Sequence, residues 1–341
     1  MMRGFGNTTM VVLGGAGFIG SNFIRQMVSN SPNTKIICVD ALTYAGNREN
    51  LKGLPAKCFV FIKGDITDAM HMKKIFIKYA PSYVINFAAE SHVDKSIHGG
   101  AEAFIRTNVY GTTVLLEALR QTPSVKKFVQ VSTDEVYGAL ALDSKKKFTE
   151  QSSLAPNSPY AASKAGADLV ARAFYTTYAL PIVITRCSNN YGPYQHPEKL
   201  IPYSITRIMR RKPIAIYGDG KYVRDWIHVE DHCRALGLIL MKGVSGEIYN
   251  IGTDDEIDNL TLAKRMLAHF KKGHNSLSFV KDRPGHDRRY AIDASKIKKE
   301  LGWKPKHSLR TSFEPTIAWY VQNIGWVKHA LARAGVANTH I

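Results

Sequence analysis

Thr9-Met10-Val11-Val12-Leu13-Gly14-Gly15-Ala16-Gly17-Phe18-Ile19-Gly20 decides how the rest of the chain reads. Its first five residues are a β-favouring apolar run. The run stops at Gly14-x-x-Gly17-x-x-Gly20, and a helical pattern follows from Ser21 to Val28. In the order strand, turn, helix, such glycines permit a tight turn, a close approach of pyrophosphate to the backbone, and close packing of the helix on the sheet. The helix N-terminus offers unpaired N–H donors to phosphate. Gly14, Gly17, Phe18, Ile19 and Gly20 are therefore candidate dinucleotide contacts.

The residues downstream fit this turn. Lys35-Ile36-Ile37-Cys38-Val39-Asp40 reads as a second buried strand, and its terminal acid lies twenty residues after Gly20. Asp40 can take both ribose hydroxyls, and its charge repels a 2′-phosphate, which favours NAD over NADP. Phe59 to Ile66 gives a third strand whose end, Asp65-Ile66, is expected beside the adenine. Tyr83 to Ala89 gives a fourth, with the small Ala88 and Ala89 leaving room for the dinucleotide. Thr107–Leu119 has helical spacing. Lys127 to Ser132 is a fifth strand, with Thr133-Asp134-Glu135 at the carboxyl edge where open parallel sheets bind ligands. The fold class expected is α/β: a Rossmann-type, doubly wound parallel sheet with a smaller α/β substrate-binding domain.

A proline-studded loop, Ala155 to Pro159, then delivers Tyr160, which starts a long helical pattern to Tyr178. Tyr160 and Lys164 share a helix face one turn apart. From there the ammonium is expected to lower the phenol's pKa. Taken alone, each of Thr133, Asp134, Glu135, Tyr160 and Lys164 reads as an ordinary solvated residue. All five within one short interval match the needs of one proton-transfer mechanism.

Composition narrows the class. The chain has 341 residues, 45% of them hydrophobic and 22% charged, with a mean hydropathy of −0.18, as in water-soluble globular proteins. That length suits one large domain or two unequal ones. The formal charge of +18 is scattered, with short clusters at Lys145–Lys147, Arg210–Lys212 and Arg288-Arg289. Without a basic tail or zinc-finger spacing, this favours an acidic small substrate over nucleic acid. Cys38, Cys58, Cys187 and Cys233 form no C-x-x-C pair, which points to a reducing, cytoplasmic setting with no metal site. Glycines interrupt the apolar run Met10–Ile19, so it is neither a signal peptide nor a membrane span.

Four blocks carry a resemblance: Ser132 to Gly138, Tyr160-x-x-x-Lys164, Arg186 to Pro193, and Asp282 to Tyr290. The chain is similar, from about Met10 to Asn323, to the nucleotide-sugar 4,6-dehydratases of the extended short-chain dehydrogenase/reductase superfamily, and within them to the dTDP-glucose 4,6-dehydratases. The resemblance implies that Arg224 and Arg283 hold a diphosphate, work that suits the guanidinium fork. Ser91, His92, Asn189, Asn190, Lys199, Leu200, Tyr217, Asn259 and His286 are the further substrate contacts it implies. It also implies a homodimer formed through Thr107–Leu119 and Tyr160–Tyr178. By the same resemblance, Thr133 aligns the sugar's 4-hydroxyl, Tyr160 with Lys164 takes its proton, Glu135 removes the C5 proton and Asp134 protonates the departing 6-hydroxyl. The C4 hydride passes to NAD and returns to C6.

Residues 8–186 are expected to form the NAD domain, which a segment near 224–252 rejoins. Residues 187–325 then form the substrate domain and 326–341 a tail without chemistry; residues 1–8 read as a loose arm. The alternatives are a UDP-glucose 4,6-dehydratase, a nucleotide-sugar 4-epimerase, which needs no acid–base pair, and a non-catalytic NAD-binding protein. Two departures from the family pattern are Leu13, where a threonine is common, and His98-Gly99-Gly100, where an acidic, proline-containing segment is commoner.

Overall fold

A computed structural model describes residues 5–333. Its strands are β1 (Thr9–Leu13), β2 (Lys35–Asp40), β3 (Phe59–Lys63), β4 (Tyr83–Asn86), β5 (Lys127–Thr133), β6 (Ile182–Cys187), β7 (Asn189–Tyr191), β8 (Ile214–Tyr217), β9 (Val223–His228), β10 (Ile248–Ile251), β11 (Glu256–Asp258) and β12 (Leu277–Val280). Seven of them form a parallel sheet in the order β10-β6-β5-β4-β1-β2-β3. Chain order reverses between β1 and β4, which is where such sheets open a ligand crevice.

The apolar runs are continuous because both faces of this sheet are covered. In β1, Met10 and Val12 enter one core with Phe23, Ile24 and Met27 of the helix Phe18–Asn30. Val11 and Leu13 point the other way, into a core with Leu115, Leu116 and Leu119 of the helix Thr112–Arg120. Truncating Phe23 to alanine would cost about 3–5 kcal/mol. Phe5 is also core, with its ring edge against Tyr83 at 4.9 Å, so the loose arm expected over residues 1–8 does not hold from Phe5 onward; residues 1–4 lie outside the described residues.

The smaller sheets stand apart from the large one. β11-β9-β7 is mixed, and β12-β8 is a parallel pair. Asn189 and Asn190, expected as substrate contacts, lie in β7. Of the segment expected to rejoin the large sheet, β10 does so at its edge beside β6, whereas β9 pairs with β7 and β11. A third core collects Tyr191, Ile205, Trp226, Met266 and Phe313, and the C-terminal helix Ile324–Arg333 adds Val327 and Leu331 to it. Residues 326–333 are thus packed structure; 334–341 lie outside the described residues.

The helix expected at 107–119 is longer and uneven. Glu102–Phe104 is α-helical, Ile105–Gly111 is π-helical, and Thr112–Arg120 is α-helical again. Inside the π stretch Asn108 is buried. Its side chain accepts from the Glu90 N–H and donates to the Glu90 carbonyl and to Ser163 Oγ. The wide turn therefore ties the end of β4 to the helix that carries Tyr160, a frequent role of π-bulges near sites.

Candidate active site

One cleft runs along the carboxyl edge of the large sheet. At one end it is lined by Gly14, Gly17, Phe18, Ile19, Gly20, Asp40, Asp65, Ile66, Ala88 and Ala89. Gly14 has φ +70°, and a Cβ there would sit 2.5 Å from the Ala88 nitrogen. A Cβ on Gly20 would meet the Gly14 carbonyl oxygen at 2.4 Å. The turn is closed against its neighbours to a degree only glycine allows, and the first turn of the helix Phe18–Asn30 faces the cleft.

Asp40 is fixed from both sides. Its Oδ2 accepts from the Ala16 N–H at 2.9 Å and its Oδ1 from the Leu42 N–H at 2.8 Å. Burial raises its pKa against these two bonds. Each carboxylate oxygen keeps a further lone pair for a ribose hydroxyl. Asp65 caps its own turn by accepting from the Thr67 N–H and hydroxyl. The close-fitted glycines, the helix N-terminus and the placed acid fit an NAD.

At the middle of the cleft, β5 ends at Thr133, and Asp134–Tyr137 makes a single 3₁₀ turn. Thr133 Oγ1 accepts from the Glu135 N–H and donates to Asp134 Oδ1, both at 3.3 Å. Asp134 is 2% exposed, and its Oδ2 has no hydrogen-bond partner among the described residues. Burial, then the charges of Glu135 and Asp225, push its pKa well above the ordinary value. Burial raises Glu135 as well, but Arg283, Arg224 and Lys199 oppose it. Adjacent carboxyls in such unlike surroundings titrate apart, as an acid–base pair must.

Tyr160 lies in the first turn of the helix Pro159–Tyr178, whose N-cap Ser158 accepts from the Ala161 N–H at 3.1 Å. Its phenol is pushed well above the ordinary value by burial, then by Glu135, Cys187 and Asp134. Lys164 Nζ donates to the Val131 carbonyl at 2.7 Å, and burial lowers its own pKa. The acidic groups of the protein around this phenol oppose the lowering expected from Lys164. Behind Lys164, the buried Asp168 accepts from Arg186 Nε at 2.9 Å, and that guanidinium lies 4.8 Å from the Tyr137 ring.

The substrate candidates divide into two groups. Ser91, Asn189, Asn190 and Lys199 line the same cleft; Lys199 Nζ donates to the Ser91 carbonyl at 3.2 Å, and Asn190 is held by Ser188 and His232. His92, Leu200, Tyr217, Arg224, Asn259, Arg283 and His286 do not line it. His92 sits just behind, 3.3 Å from Glu198. Arg224 and Arg283 act on Glu135, and Tyr217 lies with Arg283 at 6.0 Å and with His286 at 6.2 Å. Arg224 donates to the Val223 and Asp287 carbonyls, Arg283 pairs with Asp94 at 3.3 Å, and His286 stacks on Tyr222 at 3.6 Å. Leu200 packs against the third core, and Asn259 opens the helix Asn259–His269 with its Oδ1 buried and without a partner among the described residues.

The cleft also includes residues that sequence reasoning missed: Tyr44, His196, Glu198, Trp326, Ala330 and Arg333. Glu198 had a signal in its neighbour Lys199, with which it pairs at 3.6 Å. The others come from loops and from the C-terminal helix, where no local pattern marks them. Away from the cleft, His228, Glu230 and His307 lie within metal-ligand reach of one another. His228 Nδ1, however, accepts from the Glu230 N–H and His307 Nδ1 pairs with Asp231.

Known proteins share this arrangement. A family model described as GDP-mannose 4,6 dehydratase matches residues 11–316. A dTDP-glucose 4,6-dehydratase of Xanthomonas campestris is 47% identical, over 95% of this chain and 96% of that one. The solved dTDP-glucose 4,6-dehydratase of Streptomyces venezuelae, which has NAD bound, superposes with a TM-score of 0.91 at 46% identity, over 94% and 99% of the two chains. That of Bacillus anthracis, in complex with NAD, gives 0.88 at 45%, over 95% and 99%. By matched length, identity and architecture, this chain belongs to the nucleotide-sugar 4,6-dehydratase family of the extended short-chain dehydrogenase/reductase superfamily.

Proposed function

We propose that the protein is a hydro-lyase that converts dTDP-glucose to its 4-keto-6-deoxy derivative with a resident NAD. The observation that carries this reading is the pair Asp134 and Glu135. One carboxyl is pushed well above its ordinary value by burial and has a buried oxygen without a partner among the described residues, and the other feels three cationic side chains. A 4-epimerase on the same scaffold has no use for such a pair.

Bound NAD supplies the acceptor for the hydride of C4 and gives it back at C6. In this reading Thr133 orients the sugar's 4-hydroxyl, and Tyr160, in its tyrosinate form, receives its proton as the ketone forms. The ketone acidifies C5–H, and Glu135 removes that proton. Asp134, already protonated, donates through Oδ2 to the departing 6-hydroxyl, so water leaves rather than hydroxide. Lys164 and the Asp168–Arg186 pair fix the helix of Tyr160 against β5 and β6. Arg224 and Arg283 supply the positive field for a diphosphate and keep Glu135 within reach of ionisation.

Ile105, Tyr110 and Leu169, between 48% and 57% exposed, leave an apolar face on the helical segments 102–120 and 159–178. A second copy of the chain would cover it, so a homodimer is part of this reading, to be checked by light scattering. No helix among the described residues is long and apolar enough to cross a membrane, and the four cysteines are free and buried; a cytoplasmic setting suits both.

The test is incubation of the purified protein with dTDP-glucose and, separately, UDP-glucose, with detection of ketosugar. Ketosugar from dTDP-glucose is the expected product. Preference for the UDP-sugar would reassign the base, and a galactose epimer in place of ketosugar would overturn the dehydratase reading.

A further inference from the structure

The C-terminal helix Ile324–Arg333 is anchored on one side and faces the cleft on the other. Val327 and Leu331 are buried in the third core, and the Trp326 ring packs 5.3 Å from Trp319 and 5.8 Å from Tyr194. Toward the cleft, Trp326 Nε1 donates to Asn50 Oδ1 at 2.7 Å. Asn50, itself buried, donates to the Ala16 carbonyl at 2.9 Å, inside the glycine turn. Two turns further along, Arg333 Nη2 donates to the Gly46 carbonyl at 2.9 Å, in the loop that folds around Asp40. Its charge also acts on the Asp40 carboxyl. Between these two points His329 pairs with Glu49 at 3.4 Å.

Residues 326, 329 and 333 share one helix face, and all three contacts end on residues 46–50, the loop bordering the ribose acid. We propose that Trp326 and Arg333 are cofactor-retaining residues: the helix straps the adenosine end of the cleft and keeps NAD in place through the cycle. The chemistry requires such a device. The reaction has no net redox change, so a cofactor that escapes after the first half leaves the protein inert. A glycine turn and one acid bind a dinucleotide without preventing its exchange. The strap adds a link between that loop and the third core, and the guanidinium retains N–H donors beyond those bonded to the loop carbonyls, free for cofactor oxygens.

The inference rests on the reading of the cleft as an NAD site, and the experiment separates the two. Wild-type protein, Arg333→Ala, and the double variant Trp326→Phe/Arg333→Ala are passed through gel filtration. Bound NAD per chain is then measured after denaturation, and the Kd of NAD is determined by titration calorimetry. Losing one charged and one neutral hydrogen bond should weaken NAD about 10–100-fold in the double variant. Its turnover should return to the wild-type value at saturating NAD. Arg333 is exposed at the helix end, so its single variant stands in where the double variant does not fold; it should show a smaller loss of the same sign. Variants that keep NAD as fully as the wild type overturn the strap. A wild-type protein that binds no NAD overturns the cofactor reading itself.

Discussion

Replacing Asp134 by asparagine should make stability less dependent on pH while abolishing activity. Asp134 is buried at 2% exposure beside Glu135 and Asp225, and its carboxyl is pushed well above its ordinary value of 3.8. Below that value both the folded and the unfolded chain hold the proton. Above it the unfolded chain releases the proton and the folded chain keeps it, so stability falls as pH rises, until the folded pKa is reached. The slope is about 1.4 kcal/mol per pH unit for one proton. Between about pH 5 and about pH 8 it amounts to at most about 4 kcal/mol. Asparagine has the same shape and no proton to lose. Whatever fixed offset its amide brings, the curve of the variant should lie flatter by that slope. Urea denaturation of both proteins at several pH values, with NAD in excess, measures the difference. Parallel curves would mean that Asp134 is ionised in the folded protein. It could not then be the proton donor, and the assignment of acid and base would fail.

Three other changes test neighbouring parts of the account. Glu135→Gln keeps the volume but removes the base, so ketosugar formation should drop about 10²–10⁴-fold with little change in KM, measured by steady-state kinetics. Gly14→Ala puts a Cβ 2.5 Å from the Ala88 nitrogen at φ +70°. It should cost about 2–4 kcal/mol and weaken NAD, read by thermal melting and by cofactor content. Asp168→Leu leaves Arg186 buried without its partner and should cost about 3–5 kcal/mol in chemical denaturation, while Asp168→Leu/Arg186→Met should recover much of it.

The large sheet was legible because its strands are buried on both faces. Val11-Val12-Leu13 and Ile36-Ile37-Cys38-Val39 then need no alternation to be recognised, and the glycines fix their order in the chain. The smaller sheets were less so. β7 is three residues long and begins Asn189-Asn190, which local propensity reads as loop; pairing with β9 decides it. β9 itself mixes Arg224 and Asp225 with Trp226 and Ile227, and nothing local shows which sheet it joins. The spacing of Tyr160 and Lys164 placed both on one helix face, yet it could not tell that Nζ would reach the Val131 carbonyl. What the C-terminal helix does was unreadable for a different reason. Trp326 meets Asn50 across 276 residues of sequence, and its meaning exists only once the chain has folded.

The central claim is that one hydride leaves C4 and returns at C6 of the same sugar, while Glu135 exchanges the C5 proton with water. The measurement closest to it uses dTDP-glucose carrying deuterium at C4, turned over without added cofactor, with the product read by NMR and mass spectrometry. The account predicts deuterium in the C6 methyl group and a solvent-derived hydrogen at C5. Deuterium retained at C4, or lost from the sugar altogether, would contradict it.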